Sequence, residues 1–513
     1  MRSVRALLSA SVGVVNQVTR AVLSLIVRRV FFIYISAEFL GLNSLFGSIV
    51  SFLGLSELGI ASAVTICLYK PLAENDFHRA NAYIHLLKIY NYIMMAIVLL
   101  GGIILTPIVF STVNGDYSTI AVLESYVLYL IGTACSYLWS YCEILLVADQ
   151  KQYKVTAVYW INTVIVNLVQ IGIIVFCKNY YLYLCTVILY NFLSHYFIRK
   201  IAEKEYPWLN EEADLLTKND KTDFAHKIKD LFLYRIATYL IQSLDNIIVS
   251  MMLGTVVVAY YGNYYLIVNM LIAIVGNIGG AAVAGLGNVF YVDENKKMFE
   301  TTKNLLFIQQ MIFSSTAVAM IVLANDFVRI CFGEESVCSI NLVISLAILY
   351  YIQGVTSPLE NVRTAVGCYD DKYWQFMVSV LNVVISVALT LKIGLCGVVI
   401  GTIVCYFIKG FILTPRLIFG RAISKDYKKE YMKNVGYACS SFCVGLIVAY
   451  LMPVMEGLPF VLAFVIKGVL AVIGVTLINI ILLHRTRFYQ ENKSYFMKLI
   501  SIWLDKLKCG SNR

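Results

Sequence analysis

Arg20, Arg28 and Arg29 lie inside the first long apolar stretch of the chain. A charge at the centre of a membrane helix costs roughly 2.5–3.5 kcal/mol on insertion scales, so it faces protein, water or another charge and marks a functional path. Glu57, Glu143, Arg235, Asp245, Glu360, Arg363, Lys409 and Lys467 occupy similar settings. Cations outnumber anions in this set, which suits an anion-binding cavity better than internal neutralisation. Arg20 and Arg28 are separated by about 80° around a helix, so both can line one broad face. A guanidinium stays charged and grips phosphate oxygens through two parallel bonds. A ladder of Arg20, Arg28 and Arg29 would let a pyrophosphate change partners as it moves. Arg363 and Lys409 are the candidate cavity cations of the second half. Glu57, Glu143 and Asp245 are acids that could couple movement to H⁺ or Na⁺, or serve as structural partners of arginines.

The elements that carry these charges are membrane helices. Of the 513 residues, 60% are hydrophobic and only 14% charged, and mean hydropathy is +0.76. Soluble domains are about 45–50% apolar and about 25% charged. Spans of about 20 apolar residues cross the hydrocarbon core. On that ruler the chain is all-α with about fourteen transmembrane helices, near 11–36, 41–66, 83–110, 121–147, 155–177, 180–198, 231–253, 256–290, 302–324, 340–366, 375–393, 395–415, 434–453 and 459–484. Lys and Arg concentrate in alternate loops, which places the N- and C-termini inside. The net charge of +10 then reads as attraction to the inner leaflet, and nucleic-acid binding is not needed.

Sliding the chain on itself by 220 residues brings Asn43 onto Asn263, Gly59 onto Gly279, Tyr153 onto Tyr373 and Asn162 onto Asn382. Glu143 falls on Arg363. Two parallel halves follow, an organisation common in transporters. The expected domains are an N-lobe over 1–198, a mixed-charge cytoplasmic linker over 199–230 and a C-lobe over 231–418. Two added helices occupy 419–484, and a basic tail occupies 485–513, where Phe496, Leu499, Trp503 and Leu507 share one helical face as an interfacial helix would.

Enzyme and cofactor signatures are missing. The glycines of 276–288 follow no strand and precede no Walker lysine, so they suit close helix packing. No HExxH, GxSxG or CxxC motif occurs. Most of the 13 cysteines read as small buried hydrophobes, and Cys331 and Cys338 share one loop and could pair. The 36 tyrosines read mostly as interfacial belt.

The run FLGLNSLFGSIVSFLGLSELGIASAVTICLYKPLAENDFHRANAYIHLLKIY resembles bacterial polysaccharide-biosynthesis membrane proteins. These are flippases of the multidrug/oligosaccharidyl-lipid/polysaccharide exporter superfamily. Leu40 to Asn43, Glu57 to Ala63 and Tyr69 to Ala73 carry the resemblance, with Leu244-Asp245-Asn246 and Gly254 to Tyr264 in the second half. It implies two six-helix lobes in a V and alternating access in a multi-pass protein of the bacterial plasma membrane. The implied cargo is an undecaprenyl-pyrophosphate-linked oligosaccharide for O-antigen, capsule or exopolysaccharide, and contact with a polysaccharide polymerase would follow. A cation-coupled multidrug antiporter is the alternative, favoured less because such sites use acids and aromatics. A membrane polymerase or glycosyltransferase would need a larger loop.

Overall fold

The computed structural model describes residues 2–53, 60–113, 118–149, 151–211, 236–237, 240–241, 243–291, 295–451 and 460–493. Helices dominate these residues, and no strand occurs among them. The first half runs α1 (Arg2–Tyr34), α2 (Ala37–Leu53), α3 (Ile60–Glu74), α4 (Phe77–Ile104), α5 (Thr106–Thr112), α6 (Thr119–Cys135), α7 (Ser140–Ala148), α8 (Gln152–Gly172) and α9 (Tyr180–Glu205). The second half opens with the short apolar helix α10 (Ser243–Leu253). It continues with α11 (Thr255–Tyr291), α12 (Asn295–Phe332), α13 (Ile340–Val366), α14 (Lys372–Ile393), α15 (Leu395–Phe407) and α16 (Thr414–Arg421). Helices α17 (Lys428–Leu451) and α18 (Phe460–Leu483) complete the chain.

Among the described residues, 10 helices are long and apolar enough to cross a membrane. Their outer faces are apolar too: Ile104 is 75% exposed, Phe176 86% and Leu391 75%. A soluble fold would bury such a set, whereas lipid solvates it at no penalty. The protein is a multi-pass membrane protein. Polar backbone groups must be satisfied within each segment in hydrocarbon, and short departures from α geometry mark where segments bend. Helices α6 and α7 are separated by Ser136–Trp139, with Trp139 left-handed at φ 59. A π turn, Ile173–Cys177, follows α8, and another, Ile408–Leu413, joins α15 to α16.

Two compact units divide the described contacts. One comprises residues 1–262 with 375–394, the other 263–374 with 395–513. In the first, α8 packs on α1 and α9, and α6 packs on α4 and α9. Its interior holds an apolar cluster around Leu45, Phe46, Val98 and Tyr126. A second cluster joins Val64, Leu68, Leu87, Leu145 and Ile198. Helix α2 approaches α11 closely at Gly41, where a Cβ would collide with the Thr255 carbonyl oxygen. In the second unit α12 packs on α13, α17 and α18, and α13 packs on α15 and α16.

Of the expected linker, residues 212–230 lie outside the described residues, as does the tail beyond 493. The tail's first residues fold back: Phe488 is 2% exposed and meets Phe307 edge-on with centroids 5.4 Å apart. Nearby, Lys303 gathers Glu300 and Glu491, each at 2.8 Å, and Glu430 at 3.6 Å. Cys331 and Cys338 form no disulfide with one another, against the pairing read from their shared loop. Cys331 belongs to the last turn of α12, while the Cys338 amide donates to Tyr264 Oη at 2.9 Å.

Candidate functional site

The three arginines read from the sequence share one continuous helix, α1. Arg20 and Arg29 are exposed and Arg28 is half-buried. The Arg28 guanidinium donates from Nη2 to the Ala259 carbonyl at 3.1 Å. Space for it exists because position 262 is glycine: a Cβ there would stand 2.7 Å from Nη2 and 3.8 Å from Ser44 Oγ. Phe31, three residues further along α1, packs edge-on against Tyr183 at 5.0 Å and Tyr180 at 5.8 Å. Those rings fix the face of α1 and with it the direction of the arginine.

One helical turn past the Trp139 kink, Glu143 accepts a hydrogen bond from Tyr159 Oη at 2.6 Å. Arg20 acts electrostatically on that same phenol, so the structure brings Arg20, Glu143 and Tyr159 into one neighbourhood. Trp160 Nε1 donates to Thr19 Oγ1 at 3.0 Å and holds α8 against α1 beside Arg20. Asp245 is 4% exposed and lies 3.4 Å from the Tyr261 hydroxyl. Each of these acids therefore has a phenol as a neighbour. Tyr159 and Tyr261 were missed in the sequence among the 36 tyrosines, though each sits 16 residues after its acid.

Arg363 and Lys409 belong to a second assembly. Arg363 is fully buried. Its Nη2 donates to Asp371 at 2.6 Å and to Thr414 Oγ1 at 3.2 Å, and Nη1 lies 3.6 Å from Glu360. Thr414 Oγ1 in turn donates to Glu360 at 2.8 Å, and Lys409 Nζ stands 3.9 Å from the same carboxylate. Two cations and two carboxylates thus balance. Gly367 makes the arrangement reachable: it caps α13 at φ 71, a left-handed conformation that glycine adopts without strain. The turn carries Asp371 back onto Arg363. Lys467 likewise meets Asp326 at 3.1 Å. Glu57 and Arg235 lie outside the described residues.

Among the described residues no cluster of three His, Cys, Asp or Glu could hold a metal ion. The arrangement is one of charges, phenols and hydroxyls on helices.

Searches with the sequence match no family model and no curated protein. The architecture matches solved structures over most of the chain. The lipid II flippase MurJ, in an inward closed conformation, superposes with a TM-score of 0.67 at 13% identity, covering 92% of this chain and 99% of that one. A multidrug resistance MATE family transporter of the MOP superfamily, inward-facing, gives 0.55 at 15% identity, covering 82% and 96%. The Vibrio cholerae MATE transporter VcmN, in a mutant form, gives 0.56 at 12% identity, covering 82% and 98%. The chain shares the fold of these solved transporter structures.

Proposed function

We propose that the protein is a flippase that carries an undecaprenyl-pyrophosphate-linked oligosaccharide from the inner to the outer leaflet of a bacterial plasma membrane, by alternating access and without enzymatic chemistry. The observation that carries this reading is α1, a helix among membrane spans that bears Arg20, Arg28 and Arg29 and holds Arg28 on a neutral backbone carbonyl. A guanidinium held by a carbonyl exchanges it for a phosphate oxygen with a gain in charge-assisted bonding. Arg363 and Lys409 enter the cargo path by exchanging Glu360 or Asp371 for phosphate. The lobes of this proposal are 1–198 and 231–418, with the pair over 419–484 beside them. Movement of a pyrophosphate outward through an inside-negative membrane is favoured by roughly 2.3 kcal/mol per charge per 100 mV. Glu143 and Asp245 are the acids through which H⁺ or Na⁺ would couple.

The test replaces Arg28 and Arg29 together with glutamine and follows lipid-linked units with an impermeant glycan label. Units should accumulate inside, with surface polysaccharide reduced at least tenfold. Normal export by stably inserted protein would refute the reading. A second reading, a cation-coupled multidrug antiporter, draws on the two acids held beside phenols and on the MATE likeness. It predicts raised drug tolerance in a pump-deficient host and no loss of surface glycan on deletion.

A further inference from the structure

A cavity of about 490 Å³ opens in the N-terminal unit among α4, the α6–α7 kink and the end of α9, a volume ordinary for a small-molecule site. One face of α4 forms its floor. Asn81, Ile84, His85, Lys88 and Tyr92 line it at helical spacing. Asn81 is buried, and its amide donates to the carbonyls of Trp208 at 3.2 Å and Glu211 at 3.1 Å. Those bonds draw the segment after α9 across the start of α4 and build a second wall. Across the cavity, Arg199 lies over the Trp139 ring at 5.0 Å. Its Nε edge is taken by Glu203 at 2.6 Å. Its two terminal nitrogens have no protein partner among the described residues, and neither does the half-buried Lys88 ammonium.

We propose that this cavity binds a phosphate group carried on a sugar or on a lipid headgroup. Lys88 and the free edge of Arg199 supply the charge; a stacked guanidinium keeps its fork oriented for phosphate oxygens. Trp139, Tyr141 and Tyr92 supply flat apolar walls for a ring or a glycerol backbone. Glu211 also lines the cavity, and its exposed carboxylate is screened by water. A cationic ligand is disfavoured by Lys88 and Arg199 together. Glu205 at the end of α9, which frames the cavity, pairs with Lys151 and Lys154, and loop lysines of this kind sit at the headgroup level of membrane proteins. The site is separate from the arginines of α1, and the proposal stands whether or not the chain carries a pyrophosphate-linked glycan.

The experiment titrates the full-length, delipidated protein in neutral detergent with two pairs of probes, followed by native mass spectrometry. One pair is glucose 1-phosphate and glucose, the other phosphatidylglycerol and diacylglycerol. The phosphate-bearing member of at least one pair should bind at least tenfold tighter than its counterpart, and Lys88→Gln should remove that difference while Lys88→Arg keeps it. Preference in the sugar pair alone assigns a soluble ligand, and preference in the lipid pair alone assigns a headgroup. Should Lys88→Gln fail to insert, the unmodified protein decides: raising salt tenfold should weaken the phosphate probes and leave the neutral ones unchanged. No preference for phosphate in either pair, or full preference in Lys88→Gln, overturns the proposal.

Discussion

Replacing Arg363 with methionine tests whether the buried cation is held by its carboxylates or reserved for cargo. Its side chain is 0% exposed and that of Asp371 is 9%, so solvent does not dilute the pair. Removing one member of a buried pair costs about 3–5 kcal/mol, because the other charge stays behind without compensation. Replacing both by apolar groups of similar volume is far cheaper. Arg363→Met alone should therefore lose about 3–5 kcal/mol, while Arg363→Met with Asp371→Leu should recover at least about 2 of these. Equilibrium unfolding of the full-length protein in mixed micelles, followed by circular dichroism, measures both. A single variant within about 0.5 kcal/mol of the parent, or a double variant as damaged as the sum of its singles, would refute the reasoning. The stable double variant then separates the roles. Normal export by it removes Arg363 from the cargo ligands; lost export in a well-folded protein keeps it there.

Other positions give sharper local readouts. Gly41→Ala drives a Cβ into the Thr255 carbonyl, a backbone group that cannot swing aside; overpacking of that kind should destabilise by about 1–3 kcal/mol, and parental stability in the same unfolding assay would contradict the close approach. Glu143→Gln keeps an acceptor for Tyr159, so folding should change by less than about 1 kcal/mol, while export should lose its dependence on external pH; an unchanged pH profile at full activity excludes Glu143 from coupling. Burial, with Cys396 adding to it, pushes the Cys338 thiol from 9.0 up to about 11. A raised thiol pKa leaves less thiolate below it, so alkylation by iodoacetamide at pH 8 should run about 100-fold slower than for a model thiol and recover only as pH approaches that value; a rate near the model thiol's at pH 8 would show the burial to be wrong.

Hydropathy made the spans legible because lipid imposes length and apolarity on each segment independently of its neighbours. The expected 340–366 has the bounds of α13, and 395–415 begins where α15 begins. The breaks inside spans were not legible. The kink between α6 and α7 turns on a left-handed Trp139, where no glycine or proline signals it. Of the stretch 41–66, residues 54–59 lie outside the described residues. For the candidate site, composition showed which charges are intramembrane but not how they pair. Asp371 lies outside the charges that hydropathy places in spans, and the Gly367 turn brings it to Arg363. Likewise, Thr414 and Tyr159 carry no charge and gave no signal until the helices placed them against Glu360 and Glu143.

The 220-residue offset expected from the sequence sets one of these charges against a counterpart that is held differently. Element ends recur at that offset: α5 ends at Thr112 and α12 at Phe332, and α8 begins at Gln152 and α14 at Lys372. Glu143 and Lys151 of the first half correspond to Arg363 and Asp371 of the second, the same eight-residue pair with both signs inverted. Only the second pair closes on itself. Gly367 supplies the left-handed cap that returns Asp371 to Arg363, whereas the corresponding residue is Val147, a β-branched residue for which that conformation is costly. Helix α7 instead runs on to Ala148, and Lys151 is captured by Asp149 at 2.7 Å and Glu205 at 2.6 Å. Glu143 is thereby left to accept from the Tyr159 hydroxyl, in the neighbourhood of Arg20. On that difference in partners, Glu143 is the acid whose substitution tests ion coupling, while substitution within the Arg363 assembly tests stability.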